Sequence, residues 1–97
     1  MLRFVSLVRV HEGTDVDGIV SAGRKMCEED ADIRSGSVVA GLGLMRSYGA
    51  PEADYAMVLD FADEDAMNRW AAGLHHQAFG LVVGSAVDTF TVTQYHF

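Results

Sequence analysis

The sequence has one cysteine, one proline and no long apolar run. The single cysteine, Cys27, cannot form an internal disulfide, and a lone thiol is typical of a reducing compartment, so we expect a cytoplasmic protein. A bilayer-spanning helix needs about 20 consecutive apolar residues, and no stretch of the chain reaches that length. The start, Met1 to Phe4, lacks the apolar run and cleavage site of a signal peptide and reads as the beginning of a strand.

Basic residues are scarce as well. Lysine and arginine together number 7 against 14 aspartates and glutamates, which gives a net charge of −7. Neither a basic stripe nor an RNA-binding motif is present, so we expect no nucleic acid and no membrane among the partners. The four histidines show no i, i+4 pairing, no Glu-x-x-His spacing and no cysteine cluster beside them, which predicts that there is no metal site.

Apolar residues, in contrast, are abundant at 49% of a chain of 97 residues. The length predicts a single domain over residues 1–97. A domain of this size buries roughly 60–70% of the surface that its unfolded chain exposes, so the surplus of apolar side chains needs a cover beyond its own core. Self-association as a homodimer is the simplest such cover.

Hydrophobic patterns divide the chain into seven elements. The β-rich segment Leu2–Val10 predicts a first strand. Thr14 is predicted to cap a helix with a continuous apolar stripe, and Gly73 is predicted to end a second helix that opens at Asp63. The other expected features are a strand over about 34–42, a loop over 46–53, a strand over 55–61, a helix over about 75–86 and a strand over 87–95.

This order, β-α-β-β-α-(α)-β, is typical of the ferredoxin-like class, an α+β fold whose four-stranded antiparallel sheet has helices on one face. Strand alternation places one set of side chains against the helices and leaves an opposite face that is also apolar. The first set is Phe4, Val8, Met57 and Leu59, and the second is Val5, Leu7, Ala56 and Val58. Two such sheets are therefore expected to pack through their bare faces and to form a dimeric α+β barrel.

Residues 54–79 are where chemistry is expected. His76 lies in the predicted first turn of a helix, where the helix dipole favours the neutral imidazole. In an apolar pocket such a ring can act as a general base, which typically contributes about 10²–10⁴-fold in rate. The pocket between helices and sheet should suit a flat or oily small molecule. Its predicted lining is Val8, Met57, Trp70, Phe90 and Val92.

These residues also have a structural interpretation. A histidine at a helix start often caps or packs, and a tryptophan is more often a core residue than a platform for a ligand. The sequence leaves open whether His75 or His76 faces the pocket, although the spacing to Phe79 favours His76. Three tyrosines have polar tips that suit an interface: Tyr48, Tyr55 and Tyr95.

Over its whole length the chain resembles the Dabb family, the stress-responsive dimeric α/β-barrel domain. The resemblance rests on the segments L-R-F-V-S-L-V-R-V, Y-A-M-V-L-D-F, D-E-D-A-M and H-H-Q-A-F and on the spacing of Trp70, His76 and Phe79. It implies a homodimeric ferredoxin-like barrel that needs no cofactor. Members range from stress-induced proteins without assigned catalysis to polyketide cyclases, which close a ring in a poly-β-ketone by aldol chemistry.

In the cyclase type, the resemblance implies that His76 is the general base and that an aromatic hydroxyl at the position of Trp70 assists it. Trp70 has no phenolic proton, Phe4 stands where many members have a histidine, and Gly73-Leu74 replaces the usual His-Pro. Three functions follow from the resemblance. They are a cofactor-free cyclase, isomerase or lyase, a non-catalytic stress or ligand-binding protein, and a monooxygenase of the antibiotic-biosynthesis type.

Overall fold

A computed structural model describes residues 1–97 of the chain. The expected order of elements and the α+β class are both confirmed, with four strands and three α-helices. The elements are β1 (Leu2–Val10), α1 (Val16–Glu29), β2 (Ser35–Ala40), β3 (Tyr55–Phe61), α2 (Glu64–Ala72), α3 (Leu74–Val83) and β4 (Val87–His96).

Element boundaries differ from the expected ones by a few residues. Helix α1 begins one residue late, because the carboxylate of Asp15 accepts the capping hydrogen bond from the Gly18 amide at 3.0 Å. The hydroxyl of Thr14 instead donates to the carbonyl of His11 at 2.6 Å. Strand β2 is shorter than predicted, and the expected loop over 46–53 contains a 3-10 turn at Arg46–Tyr48.

The sheet has the strand order β2-β3-β1-β4 with every neighbouring pair antiparallel. In this register Val8 lies opposite both Tyr55 and Phe90, and Ser6 lies opposite both Met57 and Val92. These side chains share the face of the sheet that the helices cover, which we call the helix face. The other face, here the outer face, carries Val5, Leu7, Val39, Ala56, Val58, Thr91 and Tyr95.

The core lies between the helix face and the helices. Its most deeply buried side chains are Phe61, Leu59 and Val38. The helices pack on β2 and β3 but barely reach β4, which is exposed along almost its whole length. The helix layer thus leaves β4 uncovered, and the candidate functional site lies at this opening.

The outer face ends in an ion pair. Arg3 donates two hydrogen bonds to the carboxylate of Asp60, at 2.8 and 2.9 Å, and its guanidinium lies 4.4 Å from the centre of the Phe97 ring. These hydrogen bonds hold the pKa of the Asp60 carboxyl below its usual value. None of the three helices combines the length and the apolar character that a membrane-spanning helix requires.

The lowered pKa of Asp60 predicts how stability depends on pH. A carboxyl whose folded-state pKa is depressed stabilises the fold above its unfolded-state pKa, about 4, and loses that contribution as pH falls through the lowered value. We therefore expect Asp60→Asn to destabilise the protein at pH 7 and to match the wild type at strongly acidic pH. Urea unfolding across this range measures the difference, and Asp88→Asn, which removes an exposed carboxylate without an ion pair, should show no such convergence.

Candidate functional site

A cavity of about 470 Å³ lies between the helix face of the sheet and helices α2 and α3. Its volume is within the range of roughly 300–1,000 Å³ that is typical of small-molecule sites. The structure brings together around it all six residues that the sequence singled out for the site; their binding and catalytic roles stay predictions. They are His76, Val8, Met57, Trp70, Phe90 and Val92.

Gly73 places His76 at this cavity. It ends α2 and begins α3, so the two helices follow one another without a loop. Its backbone is extended, with φ −87°, and a side chain here would bring a Cβ within 2.9 Å of the carbonyl oxygen of Arg69. The absence of a side chain at this residue therefore permits the tight turn, and His76 lies in the first turn of α3.

The imidazole of His76 is held on two sides. Its Nδ1 lies 2.9 Å from the carbonyl oxygen of Ala71, and its ring centre lies 4.4 Å from that of Trp70. A carbonyl oxygen only accepts hydrogen bonds, so Nδ1 carries the proton that it donates, and in the neutral ring Nε2 keeps a free lone pair. The half-buried ring is thus oriented with one nitrogen available as a base.

The neighbouring histidine lies elsewhere. His75 is exposed, does not line the cavity, and has its Nδ1 3.6 Å from a carboxylate oxygen of Glu29. Of the two adjacent histidines, His76 is the one beside the cavity.

Trp70 is chiefly a core residue. Its indole is 3% exposed, and its Nε1–H donates to the sulfur of Met26 at 3.3 Å. The rings of Phe4 and Phe61 lie 5.3 and 5.4 Å from it, centre to centre. Because its only donor is already bonded, Trp70 can offer a ligand nothing but ring surface, and its closest aromatic contact is with the imidazole of His76.

Two polar residues line the cavity that sequence reasoning did not assign to it. Tyr55, grouped by sequence with Tyr48 and Tyr95 as suited to an interface, is 3% exposed and faces the helices, whereas Tyr48 and Tyr95 are 78% and 46% exposed. Ser6 is 5% exposed on the neighbouring strand. The strand alternation of β3 already placed Tyr55 beside Met57, which was the available signal.

The cavity contains no lysine, arginine, aspartate or glutamate among its lining residues. Burial raises the pKa of the Tyr55 phenol above its usual value, so this hydroxyl stays protonated at neutral pH. Phe90 and Val92, which are 64% and 43% exposed, border the cavity where the helix layer stops short of β4. No group of three or more His, Cys, Asp or Glu side chains is arranged to hold a metal ion. The lining therefore offers His76, two neutral hydroxyls and apolar surface.

Comparison with known protein families gives no match, and no curated protein matches the sequence. Solved structures do match its fold. A dimeric ferredoxin-like protein of unknown function from Thermobifida fusca YX is 20% identical with a TM-score of 0.84, over 99% of this chain and 90% of that one. A hydroxynitrile lyase from Passiflora edulis is 13% identical with a TM-score of 0.81, over 97% and 90% of the two chains.

A Dabb family protein with a ferredoxin-like fold, from Mesorhizobium loti, is also among these structures. It is 14% identical with a TM-score of 0.73, over 98% of this chain and 94% of that one. Identities this low establish the fold alone. The chain thus has the predicted ferredoxin-like fold, and the structures that share this fold include a protein of the Dabb family that the sequence resembles.

Proposed function

We propose that the chain is a homodimeric, cofactor-independent enzyme in which His76 acts as a general base on an uncharged, enolisable small molecule. The reaction is of the cyclase, isomerase or lyase class. The observation that carries the proposal is an open apolar cavity in which the single imidazole, that of His76, has a free Nε2 and an oriented ring. A lone, half-buried thiol such as that of Cys27 is typical of a reducing compartment, which supports a cytoplasmic location for the enzyme.

The chemistry begins with the removal of a proton from the carbon next to a carbonyl group. The C–H bond breaks, its electron pair becomes the carbon–carbon double bond of an enolate, and Nε2 of His76 takes the proton. The carbonyl of Ala71 continues to accept the Nδ1–H and stabilises the imidazolium that forms. The enolate then attacks a second carbonyl in a cyclase, is reprotonated elsewhere in an isomerase, or expels a leaving group in a lyase.

A filled pocket would have favoured the non-catalytic alternative. If Trp70 and Met57 occupied the space between helices and sheet, His76 would be only a packing residue. Both are instead buried at the boundary of a cavity that remains large enough for a fused ring system. The proteins that share this fold include an enzyme with a small-molecule substrate, the hydroxynitrile lyase from Passiflora edulis.

The outer face of the sheet supports the homodimer. Leu7 and Val39 are 46% and 45% exposed in the single chain. The half-buried Ala56 lies between them, and the half-buried Val5 and Val58 lie in the next row of the same face. A contiguous apolar patch of this kind on a sheet face is typical of an interaction site. The protein from Thermobifida fusca is dimeric with the same fold, which makes a second copy of the chain the favoured cover.

The proposal is tested with 2-tetralone, a flat and uncharged ketone, in D₂O. We expect the wild-type protein to accelerate exchange of the protons next to the carbonyl, as followed by proton NMR, relative to buffer containing an equal concentration of free imidazole. A protein that binds 2-tetralone and leaves exchange at the buffer rate is a ligand-binding protein, and the enzyme proposal fails. Consumption of O₂ with bound ligand would instead indicate the monooxygenase.

A further inference from the structure

We infer that the hydroxyl groups of Tyr55 and Ser6 form a carbonyl-binding subsite on the sheet side of the cavity, and that the group it takes is the oxygen of an uncharged ketone or aldehyde. The inference rests on the proposed function, because it concerns the same cavity. It says which side chains bind the carbonyl oxygen of the substrate, whereas His76 acts on the neighbouring carbon.

The sheet register brings the two hydroxyl-bearing residues together. Ser6 on β1 lies opposite Met57 on β3, and Tyr55 precedes Met57 by two residues on the same face. Such diagonal neighbours on an antiparallel pair have Cβ atoms that typically lie within about 7 Å of each other. Both residues line the cavity, whose helix side carries His76. The inference places one carbonyl oxygen at these two hydroxyl-bearing residues and the adjoining carbon towards the imidazole.

Neither hydroxyl is used by the fold. Ser6 and Tyr55 are only 5% and 3% exposed, yet no other group of the chain hydrogen-bonds their side-chain oxygens. Of the buried side-chain oxygens and nitrogens, only one oxygen of Glu52 lacks both a hydrogen-bond partner and solvent contact. The hydroxyls of Ser6 and Tyr55 have no partner either, so they must retain some solvent contact. The surface that both residues line is that of the cavity. A bound ligand displaces the water that these hydroxyls contact, and each donor then loses its partner unless the ligand provides an acceptor, so a ligand oxygen is favoured there.

The charge of the site selects the class of ligand. The cavity has no lysine or arginine to neutralise a carboxylate or phosphate, and the whole chain carries a net charge of −7. Tyr55 remains protonated and keeps a hydrogen to donate, because burial disfavours the phenolate and raises the pKa of its hydroxyl. An uncharged carbonyl oxygen satisfies both conditions, since it accepts hydrogen bonds and brings no charge into the apolar cavity.

The subsite has a role in the proposed reaction. When Nε2 of His76 removes the proton, the electron pair of the carbonyl double bond moves onto the oxygen, which becomes negatively charged. Donors already directed at that oxygen bind the enolate more tightly than the ketone, and the loss of one such donor typically costs about 10²–10³-fold in turnover. In the cyclases that the sequence resembles, an aromatic hydroxyl at the position of Trp70 assists the base. In this chain Tyr55 on β3 would supply such a hydroxyl instead.

The test uses 2-tetralone with a ¹³C-labelled carbonyl bound to the full chain. We expect the carbonyl stretching frequency to be lower in the wild-type complex than in hexane, and to rise in Tyr55→Phe and further in Tyr55→Phe/Ser6→Ala, both of which preserve side-chain volume. The double variant should also lose the preference of the wild type for 2-tetralone over 1,2-dihydronaphthalene, the hydrocarbon without the carbonyl. Tyr48→Phe, which removes an exposed hydroxyl, should change neither property.

The outcomes separate this inference from the proposed function. Unchanged frequency and unchanged ketone preference in the double variant overturn the subsite, even if His76 proves to be the base. Tighter binding of 2-naphthoate, a carboxylate, than of 2-tetralone overturns the assigned ligand class. If the wild type shows no proton exchange but the frequency shifts as expected, the subsite stands and the enzyme proposal fails.

Discussion

Replacement of His76 by alanine is expected to lower the rate of proton exchange from bound 2-tetralone by about 10²–10⁴-fold, the usual contribution of a general base. The reason is geometric as well as chemical. The hydrogen bond from Nδ1–H to the Ala71 carbonyl and the packing on Trp70 fix the ring, so that Nε2 needs no reorientation before it accepts a proton. Exchange rates at saturating ketone, followed by NMR in D₂O, measure the loss.

The chain offers a matched control in the adjacent residue. His75→Ala removes an identical side chain from the same helical turn, but His75 is exposed and outside the cavity, so its loss should leave the exchange rate unchanged. Imidazole added to His76→Ala should restore part of the rate, because the deleted side chain leaves space beside the cavity. A His76→Ala protein as active as the wild type, or a His75→Ala protein as inactive as the His76 variant, would show that the base is assigned wrongly.

The fold was predictable because its strands carry strong local patterns. In β3, Met57 and Leu59 alternate with Ala56 and Val58, and the structure places the larger pair on the helix face as predicted. The observed start of α1 differs from the predicted one by one residue, because Thr14 and Asp15 are both good capping residues. Which of the two caps the helix depends on the turn after β1, where the Thr14 hydroxyl donates to the His11 carbonyl. A periodic pattern of apolar residues predicts helices and strands but not the geometry of such a turn.

The candidate site was predictable only in part. Val8, Met57 and Trp70 follow from periodicity, and His76 follows from its position at a helix start and from the spacing of Trp70, His76 and Phe79, on which the resemblance to the Dabb family also rests. The cavity position of Tyr55 is not predicted, because a tyrosine at the start of an apolar strand suits an interface as well as a cavity. What decides its environment is a tertiary fact: the helices cover β2 and β3 and stop before β4, which leaves open the space that Tyr55 lines.

Introducing one charge at the centre of the outer face should separate the homodimer. Leu7 lies on β1, an inner strand of the sheet, opposite Ala56 and Thr91, and it is 46% exposed in the single chain. Leu7→Glu thus leaves the core of each chain untouched, but by symmetry it forces two carboxylates into a covered apolar interface. Each costs several kcal/mol there, so we expect the dimer dissociation constant to rise by about 10³-fold or more.

Sedimentation equilibrium at micromolar concentration checks this prediction. The wild type should have twice the mass of one chain, and Leu7→Glu should have the mass of a single chain with an unchanged far-UV spectrum. Leu81→Glu is the control, because Leu81 is 84% exposed on α3, and its change adds the same charge to the opposite layer of the molecule. Dissociation by both variants would indicate a general effect of charge. A Leu7→Glu protein that remains dimeric would contradict an interface centred on β1 of the outer face.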